Sequence, residues 1–174
     1  MAYFNIKKLQ IEQHRAWMLR TMIYMGTIIT TRMIMIIAAI ITSKVGSYNV
    51  IMTCGELGLI HGYGNLAEIY PDCVVNSTLV PDGMSIIHAD LSGGVKENIG
   101  ASLRLNFGMA VWMAFFLHAV GVEVYLALTP REAQRLRLVS YEKQLEAGMK
   151  NPGSAGLVVE KFGDAVAWKA EGED

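Results

Sequence analysis

The run TMIYMGTIITTRMIMIIAAIITS, Thr21 to Ser43, decides the fold. It holds eight isoleucines and four methionines and carries one charge, Arg32. A second run, LNFGMAVWMAFFLHAVGVEVYLAL, Leu105 to Leu128, also carries one charge, Glu123. A helix needs about 20 residues to cross a hydrocarbon core of about 30 Å, and each run is slightly longer than that. A soluble helix of this length would show a polar face, and here the polar residues are isolated. The expected fold is all-α: an integral membrane hairpin of two transmembrane helices, 21–43 and 105–128.

The whole chain agrees with this. Of its 174 residues, 52% are hydrophobic and 18% charged, against about 25% charged in ordinary soluble domains. Mean hydropathy is +0.32. The net charge of -1 lacks the basic excess of a nucleic-acid binder, so no nucleic-acid partner is expected. The segment ahead of the first run holds Lys7, Lys8, Glu12, His14, Arg15 and Arg20. That is no cleavable signal peptide, and the first span should act as an uncleaved anchor.

Basic residues set the orientation. Segment 1–20 carries four, and 129–150 carries five; the stretch between the spans has only Lys44, Lys96 and Arg104. Both termini should be cytosolic, in an endomembrane or the plasma membrane, and the loop 44–104 luminal or extracellular. Cys54 and Cys73 both lie in that loop, as does the acceptor triplet Asn76-Ser77-Thr78. An oxidising compartment allows a Cys54–Cys73 disulfide, which would stabilise the loop by about 3 kcal/mol, and glycosylation at Asn76. The glycine-rich loop reads as a small cap of short turns, with a helix from about Val95 leading into the second span.

Beyond the second span, Thr129-Pro130-Arg131-Glu132 reads as a helix start, with threonine capping, proline first and glutamate third. The threonine hydroxyl and the carboxylate should satisfy free backbone amides. An amphipathic cytosolic helix should fill 129–148, stopping at Gly148, with Leu138, Tyr141 and Leu145 as its apolar stripe. Residues 149–174, rich in glycine and acid, read as a flexible acidic tail.

Ionisable groups inside a span are costly, and so are candidates for function. Arg32 lies about 17 Å into its span, His118 about 15 Å from the same face, and Glu123 about 8 Å. Side chains lean toward their helix N-terminus, so Arg32 and Glu123 lean toward each other and a pair between them is geometrically reachable. His118 belongs to another face with Ala110, Ala114, Gly121 and Tyr125. Two specialised faces on one helix call for a homo-oligomer or additional transmembrane helices. His14, Arg15, Trp17 and Arg20 suit the cytosolic interface, where tryptophan and arginine anchor spans. They would also bind a lipid phosphate or another anion.

Other chemistry finds less support. The cysteines are far apart and the histidines scattered, so no metal site is expected. A haem b needs axial histidines, and His118 could supply one only if another helix supplied the second. His88, Asp90 and Ser92 lack a nucleophile-elbow sequence. The eleven methionines, dispersed along the spans, serve packing.

Residues 11 to 20, IEQHRAWMLR, resemble the signature of a family of uncharacterised multi-span membrane proteins. It is known as a domain of unknown function and occurs in bacteria and filamentous fungi. Its pattern, H-R-x-W-M-x-R at the cytosolic mouth of a span, is matched by His14, Arg15, Trp17, Met18 and Arg20. Arg32, the run Gly121 to Tyr125 and the Thr129–Glu132 turn look like the fungal branch. The resemblance covers about residues 5 to 150 and implies a bundle with further spans ahead of the motif, of which this chain resembles the C-terminal half. The family carries no activity to transfer. The expected role is a non-catalytic membrane component binding lipids or a partner. The alternatives are a haem-type electron-transfer subunit or an accessory membrane protein of a fungal specialised-metabolite pathway.

Overall fold

The computed structural model describes residues 1–75, 78–163 and 165–169. The chain is mostly helical. Two helices are long and apolar enough to cross a membrane: α2 (Ile11–Val45) and α5 (Lys96–Leu128). At 35 and 33 residues they run about 50 Å each, beyond the about 30 Å of a hydrocarbon core. The other helices are α1 (Ala2–Lys7), α3 (Cys54–His61), α4 (Leu66–Ile69) and α6 (Pro130–Glu146).

Exposure separates α2 and α5 from the core helices of a soluble protein. Only 11% of the most apolar window of each is buried. The large side chains Ile29, Met33, Ile37, Trp112, Phe116 and Leu117 point outward, whereas the small Ala39, Ala110 and Ala114 are fully buried. Water would penalise that arrangement; lipid permits it, and small residues let helices approach closely.

The chain divides into two compact units. The first comprises Met1–Gly26 and Phe116–Asp174. Its α1 ends in a Schellman turn: Gln10 N–H donates to Asn5 O and Leu9 N–H to Ile6 O. Leu9 takes the left-handed conformation (φ 53°) usually given to glycine there. A buried polar network then ties three segments together. Gln10 Nε2 donates to both Glu12 carboxylate oxygens (2.8 and 3.0 Å), and Ser140 Oγ donates to Glu12 Oε2 (3.1 Å). Gln144 Nε2 donates to Gln10 Oε1 (3.0 Å) and Lys8 O (2.8 Å).

Two readings are corrected in this unit. The segment after α6 is no free tail in its described part. Gly153 N–H donates to Gln144 Oε1 (2.7 Å), Gly156 N–H to Gln10 Oε1 (3.0 Å) and Leu157 N–H to Asn5 Oδ1 (2.7 Å). Glycines that suggest flexibility in the sequence instead admit close backbone approach. The acidic end Glu171–Asp174 lies outside the described residues. At the start of α6 the expected cap does not form. Thr129 Oγ1 donates back to Tyr125 O (3.0 Å), and Glu132 pairs with Arg135 at 2.7 Å.

The second unit is Thr27–Phe115. Its cap contains strands, correcting the all-α expectation. β1 (Asn49–Thr53) pairs antiparallel with β4 (Met84–His88), with Val50 opposite Ile87 and Ile51 opposite Ile86; β2 (Val74–Val75) pairs with β3 (Thr78–Leu79). Period-2 alternation turns Met52 and Ile87 inward and Ile51 and Ile86 outward. The cap core is Met52, Cys54, Leu57, Leu66, Cys73, Ile87, Ala89 and Ala101. The expected Cys54–Cys73 disulfide is present inside it, Cα–Cα 5.4 Å. A capping box starts α3: Glu56 N–H donates to Thr53 Oγ1 (3.2 Å), and Thr53 N–H to Glu56 Oε2 (3.1 Å). Asn106 Nδ2 donates to Thr42 Oγ1 (3.1 Å), joining α5 to α2 within this unit.

Candidate functional site

In the first unit, α2 and α5 bring together most of the residues singled out near the first span. Arg20 grips Glu123 through two parallel hydrogen bonds, Nε–Oε1 2.6 Å and Nη2–Oε2 2.9 Å. Such a fork is the strong form of an arginine–carboxylate pair. The Arg20 guanidinium also lies 5.4 Å from the Trp17 ring centre. Further toward the start of α2, Arg15 Nη2 donates to the Tyr125 hydroxyl (3.4 Å) and its guanidinium sits 5.9 Å from that ring. The sequence places Tyr125 only on the His118 stripe, with no hint of this contact.

The expected Arg32–Glu123 pair is therefore replaced by Arg20–Glu123. Arg32 lies three turns beyond Arg20 on the same helix, about 18 Å of rise. A lean of side chains toward their N-termini does not close such a gap.

Arg15, Trp17 and Arg20 line one open pocket of about 370 Å³ with Glu12, Leu126, Thr129 and Phe162. Glu12 is buried, and both its oxygens are occupied by Gln10 and Ser140. Arg15 forms no ion pair within 4 Å among the described residues: its hydrogen-bond partner is the Tyr125 hydroxyl, and Glu132 acts on it only at longer range. The pocket thus offers a cation, an indole and apolar walls. His14 does not join it: its Nδ1 lies 3.0 Å from Ala2 O and ties α2 to α1.

His118 is half-buried and packs on Gly26. A Cβ at position 26 would stand 3.1 Å from His118 Cε1, so glycine is what lets the ring lie on the α2 backbone. Among the described residues, no three His, Cys, Asp or Glu side chains cluster as metal ligands.

In the second unit Arg32 is exposed and lines a separate pocket of about 300 Å³. Asn76 lies outside the described residues. Ser92 donates its hydroxyl and N–H to Asp90 Oδ1 (2.6 and 2.8 Å), a local turn; His88 meets Asn49 instead (3.4 Å). A cluster with no mark in the sequence lies beneath the cap. Glu97 is 4% exposed, accepts from the Tyr70 hydroxyl (2.9 Å) and stands 3.0 Å from His61 Nε2. Burial pushes the Glu97 carboxyl up, but its own backbone N–H, Tyr70 and His61 together hold it below its ordinary value. Burial, then the Glu97 hydrogen bond, raises the Tyr70 phenol to about 12. His61, Tyr70 and Glu97 are scattered along the loop, with no spacing to announce them.

Similarity adds one lead. Ava biosynthesis cluster protein G of Aspergillus versicolor is 31% identical over 149 residues. The match covers 83% of this chain and 42% of that relative, so the chain spans less than half of the relative's length. No family model matches the chain. No solved structure matches it.

Proposed function

We propose that this chain is a non-catalytic integral membrane component that binds anionic lipid headgroups, or a partner presenting a similar anion, at its cytosolic face. In this reading α2 and α5 cross the bilayer, both termini are cytosolic, and the disulfide-linked cap is luminal or extracellular. The observation that carries it is the Arg15–Trp17–Arg20 pocket beside the first predicted span. Arg20 is held by Glu123 in a two-pronged ion pair, whereas Arg15 hydrogen-bonds the Tyr125 hydroxyl and feels Glu132 only as a longer-range charge that is itself paired with Arg135. Arginine and tryptophan at headgroup depth are the usual anchors of a span, and a guanidinium matches a phosphate.

The name of the relative supports a setting: an accessory membrane protein of a fungal biosynthetic pathway. Membership of the multi-span family with the H-R-x-W-M-x-R signature is part of the same proposal. The haem-type alternative has no specific observation in its favour, and a Soret band from the purified protein would revive it.

The test is binding of detergent-purified protein to nanodiscs of phosphatidylcholine with and without about 20 mol% phosphatidic acid, a level at which headgroup charge dominates. Thermal stability should rise with phosphatidic acid for the wild type, and Arg15→Gln should remove most of the rise. Equal rises in both proteins would sink the reading.

A further inference from the structure

Arg32 is the charge that the structure leaves unexplained. It is exposed on α2, with no carboxylate within ion-pair distance among the described residues. Its pocket of about 300 Å³ is walled by Met35 and Phe107 and also lined by Thr27 and Thr31. The Thr27 hydroxyl is buried without a hydrogen-bond partner among the described residues. The pocket therefore holds a full positive charge between apolar walls, with a buried, unsatisfied hydroxyl on one of its lining residues. In hydrocarbon, such groups require an answering acceptor.

Three sources can supply one. Lipid phosphate is out of reach: Arg32 lies about 17 Å inside its span, and an extended arginine side chain recovers only part of that distance by snorkelling. A second copy of the chain has one carboxylate within residues 21–43 and 105–128, Glu123, and Arg20 already holds it. The remaining source is a carboxylate borne by another membrane helix.

We infer that the Arg32 pocket receives an aspartate or glutamate side chain from a further transmembrane helix. The inference rests on the membrane reading above and names the partner chemistry that this reading leaves open. Phe107 and Met35 would pack against that helix, since van der Waals contact drives helix association in lipid.

A designed helix serves as the probe. A Leu/Ala transmembrane peptide of about 23 residues with one central glutamate, and its glutamine twin, would each be mixed with donor-labelled full chain in phosphatidylcholine vesicles at pH 8. Energy transfer reports association. The glutamate peptide should half-saturate at a peptide-to-lipid ratio at least tenfold lower than the glutamine peptide. Arg32→Met should erase the preference, and Arg32→Lys should keep part of it. Equal binding of the two peptides overturns the inference, as does a preference that survives Arg32→Met. Oleate binding that depends on Arg32 while the peptides do not discriminate would also overturn it, assigning the pocket to a small amphiphile. Carbonate extraction of each sample separates the two readings: protein washed off the vesicles refutes membrane insertion itself, whereas retained protein without discrimination refutes only the helix partner.

Discussion

Gly156→Ala tests the docking of the segment after α6. A Cβ at position 156 would lie 2.5 Å from Gln10 Cβ and 2.7 Å from Asn5 Oδ1. Gln10 Cβ is the root of a side chain, not its flexible end, so relief requires backbone movement. Overpacking of this kind costs about 1–3 kcal/mol. Moving the backbone also strains two hydrogen bonds, Gly156 N–H to Gln10 and Leu157 N–H to Asn5, each worth about 1 kcal/mol net. The expected loss is about 2–4 kcal/mol, felt mainly as release of the segment. Position 156 has no positive φ, so alanine is otherwise acceptable there. Gly64→Ala, with nothing within 4 Å, is the control. Limited proteolysis should cut the 149–163 segment roughly tenfold or more faster in the variant, since about 1.4 kcal/mol is a tenfold change in the open population. Indistinguishable cleavage of Gly156→Ala, Gly64→Ala and wild type would refute the docking and restore the free tail.

Two further outcomes follow from the ion pairs. A double-mutant cycle on Arg20→Gln and Glu123→Gln, read by thermal stability in one detergent, should show a coupling of about 1–3 kcal/mol, while Arg32→Met with Glu123→Gln should be additive; the opposite pattern would reinstate the Arg32 pair. Absorbance titration should find a tyrosine ionising near pH 12 that Tyr70→Phe removes. The Tyr70 phenol is raised on folding, so its contribution is complete below about pH 10 and lost as pH climbs toward 12; the Glu97 carboxyl is lowered, so its contribution is present above the ordinary value of 4.5 and lost as pH falls below it. A cap whose stability did not fall at either extreme would contradict that cluster.

The two long apolar helices were legible because hydropathy accumulates over about 20 residues and no local detail overrides it. Local signals were less secure. Thr129-Pro130-Arg131-Glu132 and Thr53-Cys54-Gly55-Glu56 both present a threonine three positions before a glutamate, and only the second forms a capping box. At Thr129 the preceding helix runs up to Leu128, and its last carbonyls capture the hydroxyl. The end of α1 was hidden because leucine occupies a left-handed position that usually advertises itself as glycine. Nothing in the sequence marks Gln10, Glu12, Ser140 and Gln144 as buried, since a buried polar network has the composition of a surface until its partners are known. For the candidate site, Arg15, Trp17 and Arg20 line one pocket, and Glu123 pairs with Arg20 in place of Arg32. Depth along the helix, not side-chain lean, chose Arg20 over Arg32 for Glu123.

The makeup of the cap core has a consequence for biogenesis. Cys54, Leu57, Leu66 and Cys73 all precede Ala101, which α5 contributes. During synthesis the disulfide partners leave the ribosome first, and Ala101 follows well behind Cys73. At about 5–20 residues per second, a lag of about 28 residues lasts about 1–6 s. For that time the half-built cap lacks the side chain that completes its core. The second helix thus supplies the last piece of the cap core: the two cysteines are made before the side chain that completes their surroundings.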